Sequence, residues 1–201
     1  MSIVCGRCGK IVQKDDVLSQ KFEDKCYCPH CNKAIAIADL KLNHFELFNV
    51  AVQYDISVDD LLRKKLQKIL EIHPDVTQST YDLAVAEENT MMYNSAFSIL
   101  SDESARMRYI FTILGYVDGR HRDFQESVEY KTFLFEMMEL QDKKDAADGC
   151  SKKMGLCKSE CQKLHDNLLD EVINLLNDKN YDEGYMCYIK LRSIKAFLQN
   201  F

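Results

Sequence analysis

Two Cys-x-x-Cys knuckles, Cys5-Gly-Arg-Cys8 and Cys28-Pro-His-Cys31, leave the start of this chain few ways to fold. Nineteen residues lie between them, the spacing of a ribbon in which four thiolates close on one tetrahedral ion. Gly9 and Asn32 follow the two knuckles, and both tolerate positive φ, so each tight turn can aim backbone N–H groups at its sulfurs. A segment of residues 1–38 is too short to hold together by core burial, so metal is expected to supply its folding energy. The expected ligands are Cys5, Cys8, Cys28 and Cys31 around a structural Zn²⁺. Two disulfides or a thioredoxin-like redox pair are the alternatives, although no βαβ pattern surrounds either knuckle and a redox motif needs only one. Cys26 is a competing thiol, but Cys28 keeps the x-x spacing. His30 reads as a surface residue. Lys10, Lys14, Lys21, Lys25 and Lys33 offset the negative charge of a four-thiolate site.

Beyond the knuckles the chain is built for helices. Two prolines and seven glycines occur in 201 residues, while Leu, Lys, Glu, Asp, Met and Ala abound. The formal charge of −6 gives no sign of general nucleic-acid affinity, so binding to polyanions would have to come from a local basic patch. No apolar run approaches the roughly 20 residues that span a bilayer, and no apolar segment follows Met1, so neither membrane insertion nor secretion is expected. With Cys5 so near the start, no cleaved presequence is visible, which points to an intracellular chain.

Asn43–Phe48 reads as a short helix, and Ser57-Val-Asp-Asp60 as a capped entry to a second that runs to Ile72. At helical spacing Val58, Leu61, Leu62, Leu66, Ile69 and Leu70 form the expected core stripe, with Arg63, Lys64 and Lys68 on an opposite basic arc. His73-Pro74-Asp75 then ends the helix, because proline fixes its own φ and drives the preceding residue out of the α region. Such a loop can hold Asp75 outward for bidentate pairing with a partner's arginine. A third helix follows through Ala86, Asn89, Tyr93, Ala96, Phe97 and Leu100, and Ser101-Asp102 opens a fourth that Gly115 caps. A general-base role for His73 finds no accompanying nucleophile or dry pocket.

Asp118-Gly-Arg-His-Arg122 is a polar turn before three more helical segments, roughly 123–146, 150–177 and 181–200, whose short connections imply an antiparallel bundle. Cys150, Cys157, Cys161, Leu164, Leu168, Val172 and Leu175 share one stripe and read as core, with a metal site from Cys157, Cys161 and His165 as the alternative. The first of these segments carries two apolar arcs. Tyr130, Phe133, Met137 and Leu140 form one; Leu134, Phe135 and Met138 form the other, extended by Phe124 and Val128. A bundle-edge helix needs one buried arc, so the second is packed elsewhere or free for a partner.

The order of elements around His73-Pro74-Asp75 resembles a J domain over residues 43–116. His44-Phe-Glu-Leu-Phe48, Asn94-x-Ala96-x-x-x-Leu100-x-Asp102 and Arg106-x-x-Tyr109 narrow the likeness to the HscB class of iron–sulfur co-chaperones, whose animal-type branch carries N-terminal Cys-x-x-Cys knuckles. Many J domains place lysine after the tripeptide where this chain has Val76. Phe133–Leu140 resembles the scaffold-binding stretch of the class. By that resemblance the contacts with an IscU-type scaffold protein fall on Leu134, Phe135, Met138, Glu139 and Asp142, while Ser193, after Lys190-Leu-Arg192, stands where the family has an aromatic contact.

The resemblance implies a mainly α protein in three parts: a zinc ribbon (1–38), a J domain (43–116) and a scaffold-binding three-helix domain (122–201). It also implies a non-enzymatic co-chaperone that delivers an IscU-type scaffold to a DnaK-type chaperone. His73, Pro74 and Asp75 would stimulate that chaperone's ATPase, and Arg63, Lys64 and Lys68 would dock on it. A mitochondrion or mitochondrion-derived organelle is the implied compartment, with the cytoplasm as the alternative. Two other readings stay open: a general J-protein with a different client, and a zinc-ribbon nucleic-acid-binding protein.

Overall fold

A computed structural model describes residues 1–72, 80–116 and 126–201. His73-Pro74-Asp75, the expected turn at 118–122 and Phe124 lie outside the described residues. Two compact units emerge, Met1–Ile110 and Phe111–Phe201.

The first unit begins with β1 (Ser2–Val4) and β2 (Ile11–Gln13), an antiparallel pair in the register Ser2↔Gln13, Ile3↔Val12 and Val4↔Ile11. Helix α1 (Lys14–Leu18) and a 3-10 turn at Phe22–Asp24 lead to a second, smaller hairpin closed by a Tyr27↔Ala34 bridge. A further 3-10 turn, Ala38–Leu40, joins this ribbon to α2 (His44–Phe48). Asn43 caps α2 reciprocally: its side chain accepts from the Glu46 N–H, and the Glu46 carboxylate accepts from the Asn43 N–H. Helices α3 (Val58–Ile72) and α4 (Thr80–Ser101) pair, with α2 against both. α5 (Glu103–Ile113) starts at an Asp102 cap, where the carboxylate accepts from the Ala105 N–H. Gly115 adopts φ +85° just beyond α5, as its C-cap reading anticipates.

Ribbon and helices share one core. The rings of Phe22, Phe48 and Tyr93 come from the loop between the knuckles, α2 and α4, and all meet with centroids 5.5–6.4 Å apart. Asn89, buried on α4, works on both sides of its amide. It donates to the Ile35 carbonyl at 2.9 Å and accepts from the Ile37 N–H at 3.2 Å, so the second hairpin is hydrogen-bonded to the helix. A buried amide is tolerated on an apolar stripe only when its donors and acceptor find partners. Residues 1–38, read from the sequence as a ribbon domain, pack against the helices of the same unit.

In the second unit α6 (Val128–Ala146), α7 (Ser151–Asn177) and α8 (Tyr181–Leu198) form the expected three helices. Ser127 caps α6 by accepting from the Tyr130 N–H. α8 supplies more of the core than either other helix of the bundle, with Tyr185, Cys187, Tyr188, Ile189, Leu191, Ile194 and Phe197 buried. Gly184 permits the close approach of α7 and α8, since a Cβ there would sit 3.4 Å from that of Leu175. Phe111 stacks on Tyr188 at 4.9 Å. Cys157, Cys161, Leu168 and Val172 are buried along α7, as their stripe predicts.

Candidate metal centre and partner surfaces

The two knuckles are built alike. Cys5 N–H donates to the Lys10 carbonyl and Gly9 N–H to Cys5; Cys28 N–H donates to Lys33 and Asn32 N–H to Cys28, all at 2.8–2.9 Å. Gly9 (φ +70°) and Asn32 (φ +55°) occupy the left-handed region that closes each turn. The sulfurs of Cys5, Cys8, Cys28 and Cys31 then lie within 4.8 Å of one another, with Cys5 to Cys31 at 3.6 Å and Cys8 to Cys28 at 3.9 Å. A tetrahedral ion with metal–sulfur bonds of about 2.3 Å needs sulfur–sulfur edges of about 3.8 Å, so the donor set fits zinc. The Cys8 N–H stabilises the Cys5 thiolate and holds its pKa down at about 6. Cys31 is aided by the Lys33 N–H, but desolvation and the neighbouring thiols, Cys5 first, push it up to about 11.

Cys26 does not join this cluster. It is fully buried, its Sγ lies 3.8 Å from the Tyr93 hydroxyl, and burial raises its pKa to about 11. It is a core thiol, which resolves the competition in favour of Cys28. His30 is exposed, as expected.

Helix α3 departs in part from its predicted orientation. Leu61, Lys68 and Ile72 face the core, with Lys68 0% exposed, whereas Leu66 is 53% and Leu70 76% exposed. Leu62 and Val58 share the outer side. Leu61 is buried as its stripe predicts, but Val58, Leu62, Leu66 and Leu70 of the same stripe face water, and Lys68 is removed from the exposed basic arc assigned to it. The reason lies in the neighbours. The Lys68 ammonium donates to the Glu23 carbonyl at 2.5 Å and to the Glu71 carboxylate at 2.7 Å, and sits over the rings of Phe22 and Tyr27 at 5.2 and 5.9 Å. A long methylene stem fills core volume while its charge reaches a carbonyl supplied by the ribbon. Lys64 donates to the Phe48 carbonyl at 2.9 Å, and Arg63 pairs with Asp60.

The motif residues on α2 and α5 meet directly. Tyr109 accepts from the His44 N–H at 3.0 Å and stacks on its ring at 4.2 Å. Burial lowers the His44 pKa below its ordinary 6.5. Arg106 donates to the Leu100 carbonyl at 2.6 Å and lies over the Tyr54 ring.

On α6 the two arcs separate cleanly. Phe133 is 4% exposed and Leu140 is buried, whereas Phe135 is 67% exposed and Leu134, Met138, Glu139 and Asp142 share its solvent side. Ser193, on α8, donates its hydroxyl to the Ile189 carbonyl within its own helix. Cys157 and Cys161 are buried neighbours on α7 and belong to no group of three metal-ligating side chains among the described residues. The His165 ring instead meets Asp166 at 3.0 Å. Among the described residues no helix is long and apolar enough to cross a membrane.

Sequence reasoning named Asn89 only as a member of a helical stripe and did not give it the role of a clamp. A polar side chain on an otherwise apolar stripe was the available signal.

No family model matches the chain. A Vibrio parahaemolyticus "Co-chaperone protein HscB homolog" is 30% identical over 165 residues, covering 79% of this chain and 94% of that protein. An Arabidopsis thaliana "Iron-sulfur cluster co-chaperone protein HscB homolog" is 23% identical over 80% of this chain and 62% of its own length. A Shewanella amazonensis HscB homolog, 31% identical, matches over 58% of its length. The crystal structure of human co-chaperone protein HscB superposes with a TM-score of 0.75 at 20% identity, covering 98% of this chain and 96% of that one, a likeness of fold.

Proposed function

This chain belongs to the HscB co-chaperone family, and from that premise we propose that it binds an IscU-type iron–sulfur scaffold protein through α6 and presents it to a DnaK-type chaperone. The observation that carries the reading is the outward arc of α6. Leu134, Phe135 and Met138 stand in water beside Glu139 and Asp142, although the same helix already buries Phe133 and Leu140 against its bundle. Exposed aromatic and methionine side chains rimmed by carboxylates suit an adaptable client contact. The Arabidopsis relative's name supports the iron–sulfur assignment.

In this reading residues 43–116 act as the J unit and residues 122–201 as the client unit, with the ribbon of 1–38 built onto the former. His73, Pro74 and Asp75 stimulate ATP hydrolysis in the chaperone, aided by Arg63 and Lys64 at the rim of α3. The hydrolysis occurs in the partner, and this chain makes and breaks no bonds. Cys5, Cys8, Cys28 and Cys31 hold a structural Zn²⁺ that fixes the ribbon. The proposed setting is a mitochondrion or mitochondrion-derived organelle, as befits cluster assembly.

The test is steady-state ATP hydrolysis by a DnaK-type chaperone with this protein, alone and with an iron–sulfur scaffold. Joint stimulation exceeding either alone, lost in Asp75→Ala and weakened in Leu134→Ala, is expected. Stimulation indifferent to scaffold would remove the client assignment, and no stimulation would remove the co-chaperone reading.

A further inference from the structure

Helices α6 and α7 face one another across a shallow cleft of about 360 Å³ that opens to water. On α6 it is walled by Glu136, Glu139, Leu140 and Lys143, and on α7 by Glu160, Lys163 and Leu164. Both sets follow the i, i+3, i+4 spacing, so each lies on one face of its helix. Leu140 is 7% exposed and Leu164 is half-buried, which gives the cleft an apolar floor. The Lys143 ammonium donates to the Glu160 carboxylate at 2.7 Å and spans the cleft at one end. Glu136 and Glu139 on one wall and Lys163 on the other have no ion pair or side-chain hydrogen bond among the described residues. Two open carboxylates thus outnumber one open ammonium above a floor of leucine.

Such a cleft suits a long cationic side chain. Its methylene stem can lie on the leucines while its charge meets the carboxylates, and a guanidinium can pair with a carboxylate through two parallel hydrogen bonds. An anionic segment would instead meet Glu136, Glu139 and, one turn beyond, Asp142 along α6. Position names the occupant. Glu139 borders the outward arc of Leu134, Phe135 and Met138 as well as the cleft, so whatever covers that arc reaches the mouth of the cleft. We propose that the cleft between α6 and α7 is a second subsite of the client surface, and that it receives an arginine or lysine side chain of the scaffold protein between Glu136 and Glu139. This rests on the client reading above and extends it from α6 alone to α7.

The experiment is a calorimetric titration of the full-length chain with an iron–sulfur scaffold protein. It compares the wild type with Glu136→Gln, Lys163→Gln and Phe135→Ala. Glu136→Gln is expected to raise the Kd at least ~5-fold with the melting temperature unchanged, because it removes one of the two carboxylates that hold the cation. Lys163→Gln removes the opposing charge and should leave the Kd equal or lower. A smaller shift in Glu136→Gln, or a loss in Lys163→Gln as large as that in Glu136→Gln, overturns the basic subsite, while weakened binding in Phe135→Ala leaves the client reading intact. A wild-type chain with no measurable affinity for the scaffold, or full affinity in Phe135→Ala, fails that reading itself, and the subsite with it.

Discussion

The Lys68 ammonium lies 2.5 Å from the backbone carbonyl of Glu23, in the interior of the first unit. A helix side chain and a loop between the two Cys-x-x-Cys knuckles thereby complete one another's polar needs. Glu71, one turn on, takes the second hydrogen bond at 2.7 Å and balances the charge. A lysine that reads as surface in the sequence is thus a structural member.

Lys68→Ala should destabilise the protein by about 2–4 kcal/mol, since it removes a core-filling stem and strands the Glu23 carbonyl. Lys68→Met keeps most of the volume and should cost less, about 1 kcal/mol, because an apolar replacement also lifts the burden of a buried charge. Urea unfolding of both variants reads this out. A Lys68→Ala variant within about 0.5 kcal/mol of wild type would show a solvated lysine instead.

Removing a metal held by the four-cysteine cluster should loosen α4 as well as the ribbon. Phe22, Ile35 and Ile37 are held where they meet Phe48, Tyr93 and Asn89 by a segment that depends on its knuckles. Chelation, or Cys8→Ser, is expected to speed hydrogen exchange around Asn89 and to lower the melting temperature, at roughly 4–8 °C per kcal/mol lost for a domain of this size. Unaltered exchange in α4 after complete metal removal would mean that the ribbon is an appendage.

His44 should make stability fall with acidification. Its folded pKa is depressed by burial while the unfolded chain retains about 6.5, so below that value the unfolded state takes up a proton that the folded state resists. Stability is full above 6.5 and is lost as pH drops toward the lower folded value. His44→Gln should flatten the stability–pH curve in that window, measured by thermal unfolding from neutrality down to pH about 5. An unchanged slope would assign the acid sensitivity elsewhere.

Two residues apart on α6, Phe133 and Phe135 should separate folding from recognition. Phe133→Ala empties buried volume and should cost about 3–5 kcal/mol of stability. Phe135→Ala leaves the melting temperature within a degree or two and, with Leu134→Ala, should weaken scaffold binding by about 2 kcal/mol per anchor. Calorimetric titration against the scaffold protein, beside thermal scans, distinguishes the two. Equal stability losses in both would deny that the arcs differ.

Local rules were legible where local chemistry decides. Gly9 and Asn32 adopt the positive φ that the knuckles demand, and Gly115 closes α5. Asp102 caps that helix at its other end, and the two arcs of α6 part as their spacing requires. The rotation of α3 was not legible, because periodicity shows which residues share an arc and not which arc another element covers. Hydrophobicity placed Leu66 and Leu70 inside with Leu61 and put Lys68 outside, whereas only Leu61 of the three leucines is buried and Lys68 is buried too. The deciding groups, Glu23, Phe22 and Tyr27, come from a loop some forty residues away. Asn89 escaped for the same reason, since its partners are backbone groups of Ile35 and Ile37, which no side-chain pattern displays.

The Asn89 clamp also bears on how such a chain can change over generations. An amide shaped to two backbone groups of a hairpin is a liability once that hairpin is absent, because its donor and acceptor would then lie against apolar neighbours. The helical half cannot shed the ribbon by simple deletion; Asn89, Tyr93 and Lys68 would have to be rewritten together. Ribbon and helices are therefore expected to drift as one inherited block, with substitutions in either half accepted only alongside matching ones in the other.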